Sequence, residues 1–193
     1  HQHGIKNVRV LDRTFNYNTR RAKELLELFL EYHPDIRFHL EIHPALLSEE
    51  LKEELKHLPE GLLHLEAGIQ SLREPVLEKS RRMGKLTDAL EGLKFLCSLP
   101  NMETHADLIA GLPLYHLSEI FEDIRVLAAY GAGEIQLESL KLLPGTEMRR
   151  RAEELGIQYS PLPPYEVLQT REVNVSELQT ARQLSRLLDG FYN

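Results

Sequence analysis

The chain has 193 residues, 42% of them hydrophobic, with 30 acidic against 23 basic side chains and a formal net charge of -7. That balance repels polyanions and argues against a nucleic-acid partner, while a single cysteine, Cys97, excludes an internal disulfide framework and points to a reducing, cytoplasmic setting. No run approaches the roughly 18 apolar residues of a membrane span, and the opening residues lack the profile of a signal peptide.

Val8 to Asp12 is a short β-branched run closed by the polar stretch Arg13–Asn18. A helix follows, capped by Asn18 or Thr19, with Ala22, Leu25, Leu26, Phe29 and Leu30 on one stripe, and His33-Pro34-Asp35 stops it. The next strand is Arg37 to Ile42, after which Ser48 caps a helix bearing Leu51, Leu55 and Leu58. Leu62 to Ala67 is a third strand, followed by Gly68-Ile69-Gln70-Ser71 and a helical stretch with Leu72, Val76 and Leu77. Thr87 is the expected cap of a helix carrying Leu90, Leu93 and Cys97, and that position makes Cys97 a buried structural thiol. Thr104 to Pro113 reads as a strand broken by Gly111-Leu112-Pro113. Ser118 opens the next helix, Glu134 to Leu140 is a fifth strand, and Pro144-Gly145-Thr146 leads into a short helix ended by Gly156.

Beyond Gly156 the repeat stops: Ser160 to Tyr165 is a proline-rich loop, and Ser176 with Gln179 forms a capping box for a last helix ended by Gly190. Residues 1–156 therefore hold the repeating unit. Residues 157–193 are expected to pack on the same domain, because one helix cannot bury itself. Five strands each followed by helix imply a parallel sheet with right-handed crossovers.

Strand parity carries the functional reading. His39 and Glu41 oppose Phe38, Leu40 and Ile42; His64 and Glu66 oppose Leu63 and Leu65; His105 and Asp107 oppose Ala106 and Leu108; Gln136 and Glu138 oppose Ile135 and Leu137. Strands of an ordinary doubly wound sheet are apolar on both faces. Four consecutive strands with one polar face fit an α/β partial TIM-type barrel of about five parallel β-α units, helices outside and a polar interior within, in preference to a sheet with one solvated face. Barrel chemistry lies at the carboxyl ends of the strands, here Asp12, Glu41, Glu66 with Gly68 and Gln70, Asp107 with Gly111, and Glu138 with Lys141. His39, Glu41, His64, Glu66 and His105 offer a metal set, which leaves open a barrel-type metal-dependent hydrolase. Arg149-Arg150-Arg151 reads as a solvated helix face, and neither a G-x-S-x-G elbow nor a glycine-rich phosphate loop is present.

E-A-G-I-Q-S at Glu66–Ser71, Arg82, D-L-I-A-G-L-P at Asp107–Pro113 and L-P-G-T at Leu143–Thr146 follow one order and rhythm. Together they resemble the radical S-adenosylmethionine (SAM) superfamily, in the branch of oxygen-independent coproporphyrinogen oxidase and the Fe-S oxidoreductases with a cobalamin-binding domain. Leu11–Asn18 and Pro163–Thr170 look like the latter group. The resemblance implies strands two to six of a (β/α)6 core plus a C-terminal helix. It gives Gln70 and Asp107 to the SAM ribose and Arg82, with Arg81 as competitor, to the SAM carboxylate. Asp12 stands where the family's usually glycine-rich segment meets the SAM amino group.

The C-x-x-x-C-x-x-C loop that holds a [4Fe-4S] cluster in such enzymes is absent, and Cys97 lies elsewhere. With an opening residue that is not methionine, this leads us to expect a fragment of a radical SAM enzyme, inactive alone. Its parent would cleave SAM reductively to a 5′-deoxyadenosyl radical, with a [4Fe-4S] cluster and cobalamin supplied by parts outside the sequence. The substrate is not specified. A cluster-free nucleoside-binding scaffold is the remaining alternative. An uncovered first strand implies self-association through that edge.

Overall fold

A computed structural model describes residues 3–82 and 84–193. Its principal sheet has five strands in the order β1 (Asn7–Arg9), β2 (Arg37–Ile42), β3 (Leu63–Gln70), β4 (Glu103–Ala110) and β5 (Glu134–Ser139). The strands are parallel and alternate with helices, giving the expected α/β partial TIM-type fold. The helices are α1 (Thr19–Leu30), α2 (Glu49–His57), α3 (Glu74–Lys79), α4 (Leu86–Cys97), α5 (Leu117–Tyr130), α6 (Glu147–Arg150), α7 (Ala152–Leu155) and α8 (Val175–Phe191). Among the described residues, no helix is long and apolar enough to cross a membrane.

Two compact units make up the chain. The first comprises His1–Ile69, Gly84–Ala106 and Ala129–Glu134. In it the Asn18 side chain accepts from Arg21 N at 3.0 Å and Ser48 Oγ accepts from Leu51 N at 3.3 Å, so α1 and α2 begin where their caps predict. Ala22, Leu26 and Phe29 of α1 turn inward, and Phe29 stacks on Phe38 of β2 at 4.0 Å. Burial alternates strictly along β2 and β3: Phe38, Leu40, Ile42, Leu63, Leu65 and Ala67 are buried, and the residues between them are half-buried. Helix α4 packs closely on the turn Pro44–Leu46. A Cβ at Gly92 would lie 2.1 Å from the Pro44 carbonyl oxygen, so only glycine permits the approach. Helix α4 has no side-chain cap; Thr87, the expected cap, lies inside the helix and donates to Asp88 at 3.2 Å.

The second unit comprises Gln70–Met83, Asp107–Ala128 and Ile135–Asn193. Leu108, Leu112, Tyr115, Ile120, Leu127 and Leu178 are among its buried core. Gly111, at φ 92, ends β4 as expected, and Gly156, at φ 68, ends α7. Around the proline-rich loop the chain forms an antiparallel pair, β6 (Gln158–Tyr159) and β7 (Val167–Gln169), which the composition had concealed. The capping box of α8 is Asn174 with Glu177, at 3.0 and 2.9 Å, and not Ser176 with Gln179. Both pairs have box spacing; an ionised Glu in the first turn also complements the helix dipole. Helix α8 passes Gly190 and runs to Phe191, and the Asn193 side chain beyond it bonds the Ile135 N–H and carbonyl at 2.8 and 3.2 Å.

Strand β1 is shorter than the expected Val8–Asp12, and it lies at the sheet edge. Asp12 leaves the strand because its carboxylate accepts from Thr14 N at 3.2 Å and Arg21 Nη1 at 2.6 Å, closing a turn.

Candidate functional site

In the first unit, parallel pairing sets His39 beside His64 and Glu41 beside Glu66. The His39 and His64 rings stack at 4.5 Å and 23°, and His105 of β4 meets His64 edge-on at 6.0 Å. Glu66 Oε2 accepts from Arg9 Nη2 at 2.6 Å and lies 2.7 Å from His39 Nε2, while Arg9 also reaches Glu41 at 3.5 Å. Arg37 donates to His64 Nδ1 at 3.1 Å and pairs closely with Glu103, whose Oε2 lies 3.4 Å from the same nitrogen. Burial holds the His64 pKa below the ordinary imidazole value, with the neighbouring His39 acting in the same direction and Glu134 opposing. The hydrogen bond from Arg37 lowers the Glu103 pKa. Of the five metal-set residues, His39 is thus joined to Glu66. His64 and His105 gather with Glu134, which strand parity had not singled out: one donor atom from each lies within 4.8 Å of the others.

In the same unit, the Arg21 hydrogen bond lowers the Asp12 pKa, so that carboxylate serves the loop after β1. Gly68 lies inside β3, which continues to Gln70 in place of the loop expected from Gly68 onward.

A second arrangement lies wholly within the other unit. Gln70 ends β3 at φ 72, in the left-handed region. The turn after it is held by Asp123 of α5, which is 1% exposed. Asp123 Oδ2 accepts from Leu72 N at 2.8 Å and Tyr115 Oη at 2.6 Å, and Oδ1 accepts from Arg73 Nε at 2.9 Å. Arg73 also bridges to Glu122 at 2.7 Å. Burial, followed by the Asp123 charge, pushes the Tyr115 hydroxyl well above the usual phenol range. Every strong acceptor direction of Asp123 is occupied, so it is a clamp on the Gln70–Arg73 turn and not a ligand-binding acid.

Arg81 and Arg82 then separate. Arg81 Nη1 pairs with Glu147 Oε1 at 2.5 Å. Arg82 keeps solvent contact, yet desolvation of its guanidinium lowers its pKa while the charge of Asp107 pulls the other way. Asp107 is half-buried in β4, and Glu138 of β5 is met by Gln136 at 3.0 Å and Lys141 at 3.4 Å. Sequence reasoning had missed Asp123; its signal was an acid beside Ile120, Ile124 and Leu127 on the buried stripe of α5.

For a SAM group, the second unit offers a clamped strand-end amide at Gln70, a cation at Arg82 and a carboxylate at Asp107, the donor and acceptor types that a ribose and an amino-acid carboxylate require. For a [4Fe-4S] cluster the residues do not fit. Cys97 is the chain's one thiol, and burial pushes its pKa up to about 11, which keeps it protonated.

The chain's carboxyl-terminal part, residues 153–193, matches the family described as "Protein of unknown function (DUF4080)". No curated protein matches. Among solved structures it is similar to the radical SAM methyltransferase TsrM from Kitasatospora setae with cobalamin and a [4Fe-4S] cluster bound. That match has a TM-score of 0.65 and 19% identity, and covers 92% of this chain and 37% of that one. It is also similar to coproporphyrinogen III oxidase (HemN) from Escherichia coli, a radical SAM enzyme, at a TM-score of 0.61 and 17% identity, over 91% of this chain and 38% of that one. SuiB from Streptococcus suis, bound to S-adenosylmethionine, gives a TM-score of 0.53 at 12% identity, over 77% of this chain and 34% of that one. The chain thus has a fold found in radical SAM enzymes and spans under two-fifths of these proteins' lengths.

Proposed function

We propose that the chain is part of a radical SAM Fe-S oxidoreductase and contributes to its SAM pocket. Gln70 and Asp107 bond the ribose, and Arg82 pairs with the methionine carboxylate. The observation that carries this reading is the attraction between Arg82 and Asp107 within the unit whose clamped turn presents Gln70. Arg81 is paired instead with Glu147. A guanidinium and a carboxylate are the groups that a methionine carboxylate and a ribose hydroxyl require. The Asp123 clamp holds the turn that presents Gln70.

The cluster, when bound, supplies the electron for reductive SAM cleavage. Its thiolates come, in this proposal, from outside these 193 residues, as does any cobalamin site, and the 193 residues alone are inactive. The setting is cytoplasmic, and the substrate pocket draws on other segments. The edge strand β1, exposed at Asn7 and Arg9, is covered by another segment or by a second copy of the chain. Light scattering during gel filtration checks the latter: a concentration-dependent dimer is expected, and a monomer at all concentrations removes self-association.

Equilibrium dialysis with radiolabelled SAM tests the central claim. Arg82→Ala and Asp107→Asn should each weaken binding by about tenfold or more, the lower end for a hydrogen bond to a charged group. Arg81→Ala should leave it unchanged. Absence of SAM binding, or equal binding by all variants, would overturn the reading; weakening by Arg81→Ala alone would reassign the carboxylate partner.

A further inference from the structure

We propose that His64, His105 and Glu134 form a site for one divalent transition-metal ion of the zinc class, at the amino ends of β3, β4 and β5. It is independent of the proposed SAM residues, none of which belongs to it. His64 is the second residue of β3, His105 the third of β4 and Glu134 the first of β5, and all three belong to the first unit.

Two imidazoles and a carboxylate are the donor set of zinc and of non-haem divalent metals, whereas magnesium and calcium call for oxygen alone. The three donor atoms lie within 4.8 Å of one another, and His105 Nδ1 is 3.6 Å from Glu134 Oε2. Ligands of a tetrahedral zinc site stand about 3.3 Å apart at ordinary bond lengths. Ring and carboxylate rotations of the order of an ångström therefore close the site.

The surroundings of His64 indicate which nitrogen binds. Nδ1 faces Arg37 and Glu103, at 3.1 and 3.4 Å, while Nε2 is enclosed and has no hydrogen-bond partner among the described residues. Arg37 can only donate, so before metal binding Nδ1 accepts and Nε2 carries the proton. Binding at Nε2 requires the Nδ1–H tautomer: the proton moves from Nε2 to Nδ1 with no net release, the Arg37 hydrogen bond to Nδ1 gives way, and the Nδ1–H donates to Glu103. Glu103 thus stands as the carboxylate behind a metal-bound histidine. The stack with His39 steadies the same ring.

The test is zinc titration by calorimetry with a chromophoric chelator as competitor, on the chain carrying His1→Ala and His3→Ala so that the amino-terminal histidines contribute nothing. One equivalent should bind. His105→Ala and Glu134→Gln should each weaken binding at least tenfold, and Glu103→Gln by about 10–100-fold, as loss of a carboxylate behind a histidine does. Cobalt(II) should give the visible absorption of a low-symmetry nitrogen and oxygen set, lost in Glu134→Gln. Glu134 is 38% exposed, so that variant keeps the test valid if His105→Ala does not fold. His57→Ala, on the exposed end of α2, is the control for adventitious binding. No zinc binding, or binding equally strong in Glu134→Gln and wild type, would overturn the proposal. SAM dialysis reads separately, because none of these variants touches Gln70, Arg82 or Asp107.

Discussion

Asp12 and Asp123 do the same job in different surroundings. Each carboxylate holds the backbone just after a parallel strand through one main-chain N–H and one arginine, Thr14 and Arg21 for Asp12, Leu72 and Arg73 for Asp123. Asp12 is at the rim, its side chain 26% exposed, whereas Asp123 is 1% exposed and has Tyr115 as a further donor. An exposed clamp can be replaced by water; a buried one cannot. A chain that spends a buried charge on one turn fixes that turn far more firmly than its neighbour, and the turn so fixed presents Gln70.

The largest effect should come from breaking the buried clamp. Asp123→Ala leaves Tyr115 and the Leu72 N–H without their acceptor and Arg73 with Glu122 alone, and about 3–5 kcal/mol of stability should be lost, the usual cost of removing one partner of a buried charge pair. Urea unfolding measures it. If the change is below about 1 kcal/mol, Asp123 is no more than a second Asp12.

Close backbone approach gives the first unit its own rigid point. Gly92→Ala would set a methyl 2.1 Å from the Pro44 carbonyl oxygen. The overpacking should cost about 2 kcal/mol net, after a gain of about 1 kcal/mol in helix propensity. A neutral result by thermal unfolding would mean that α4 can slide on Pro44–Leu46. Asn16→Ala comes next. The buried Asn16 amide donates to the His43 carbonyl at 2.9 Å and accepts from its N–H at 2.8 Å. Losing both should cost about 1–2 kcal/mol. Together these variants ask whether the first unit is held by contacts of smaller individual worth.

What could be read from the sequence follows the range of the interactions. Alternation within β2 and β3 is a local property, so the polar face with His39, Glu41, His64 and Glu66 was legible. Caps at Asn18 and Ser48 were legible for the same reason. Asp123 acts on Leu72 across 51 residues, and Asn16 on His43 across 27; no local pattern encodes either pairing. Glu134 escaped notice as a donor because it opens β5, where parity alone does not say that β4 brings His105 to it. Asp107, Gln70 and Arg82 were named through an ordered set of motifs, whereas the pairing of Arg81 with Glu147 is a long-range contact that no local pattern encodes.

The smallest effect belongs to Asp12, and pH is the way to see it. Its hydrogen bond from Arg21, the leading cause, holds its pKa below the usual carboxylate value, so the unfolded chain binds the proton more readily than the folded one. The stability it contributes is therefore fully present above about pH 4, the unfolded carboxylate range, and is lost as the pH falls through the depressed folded value. At the rim the contribution should stay below about 1 kcal/mol. Arg21→Gln should remove most of that acid-side loss and leave stability at neutral pH lower by the same small amount. Thermal midpoints compared across the acid range check this. An equal acid slope in the variant would place the loss on other carboxylates and leave Asp12 as a turn former through Thr14 alone.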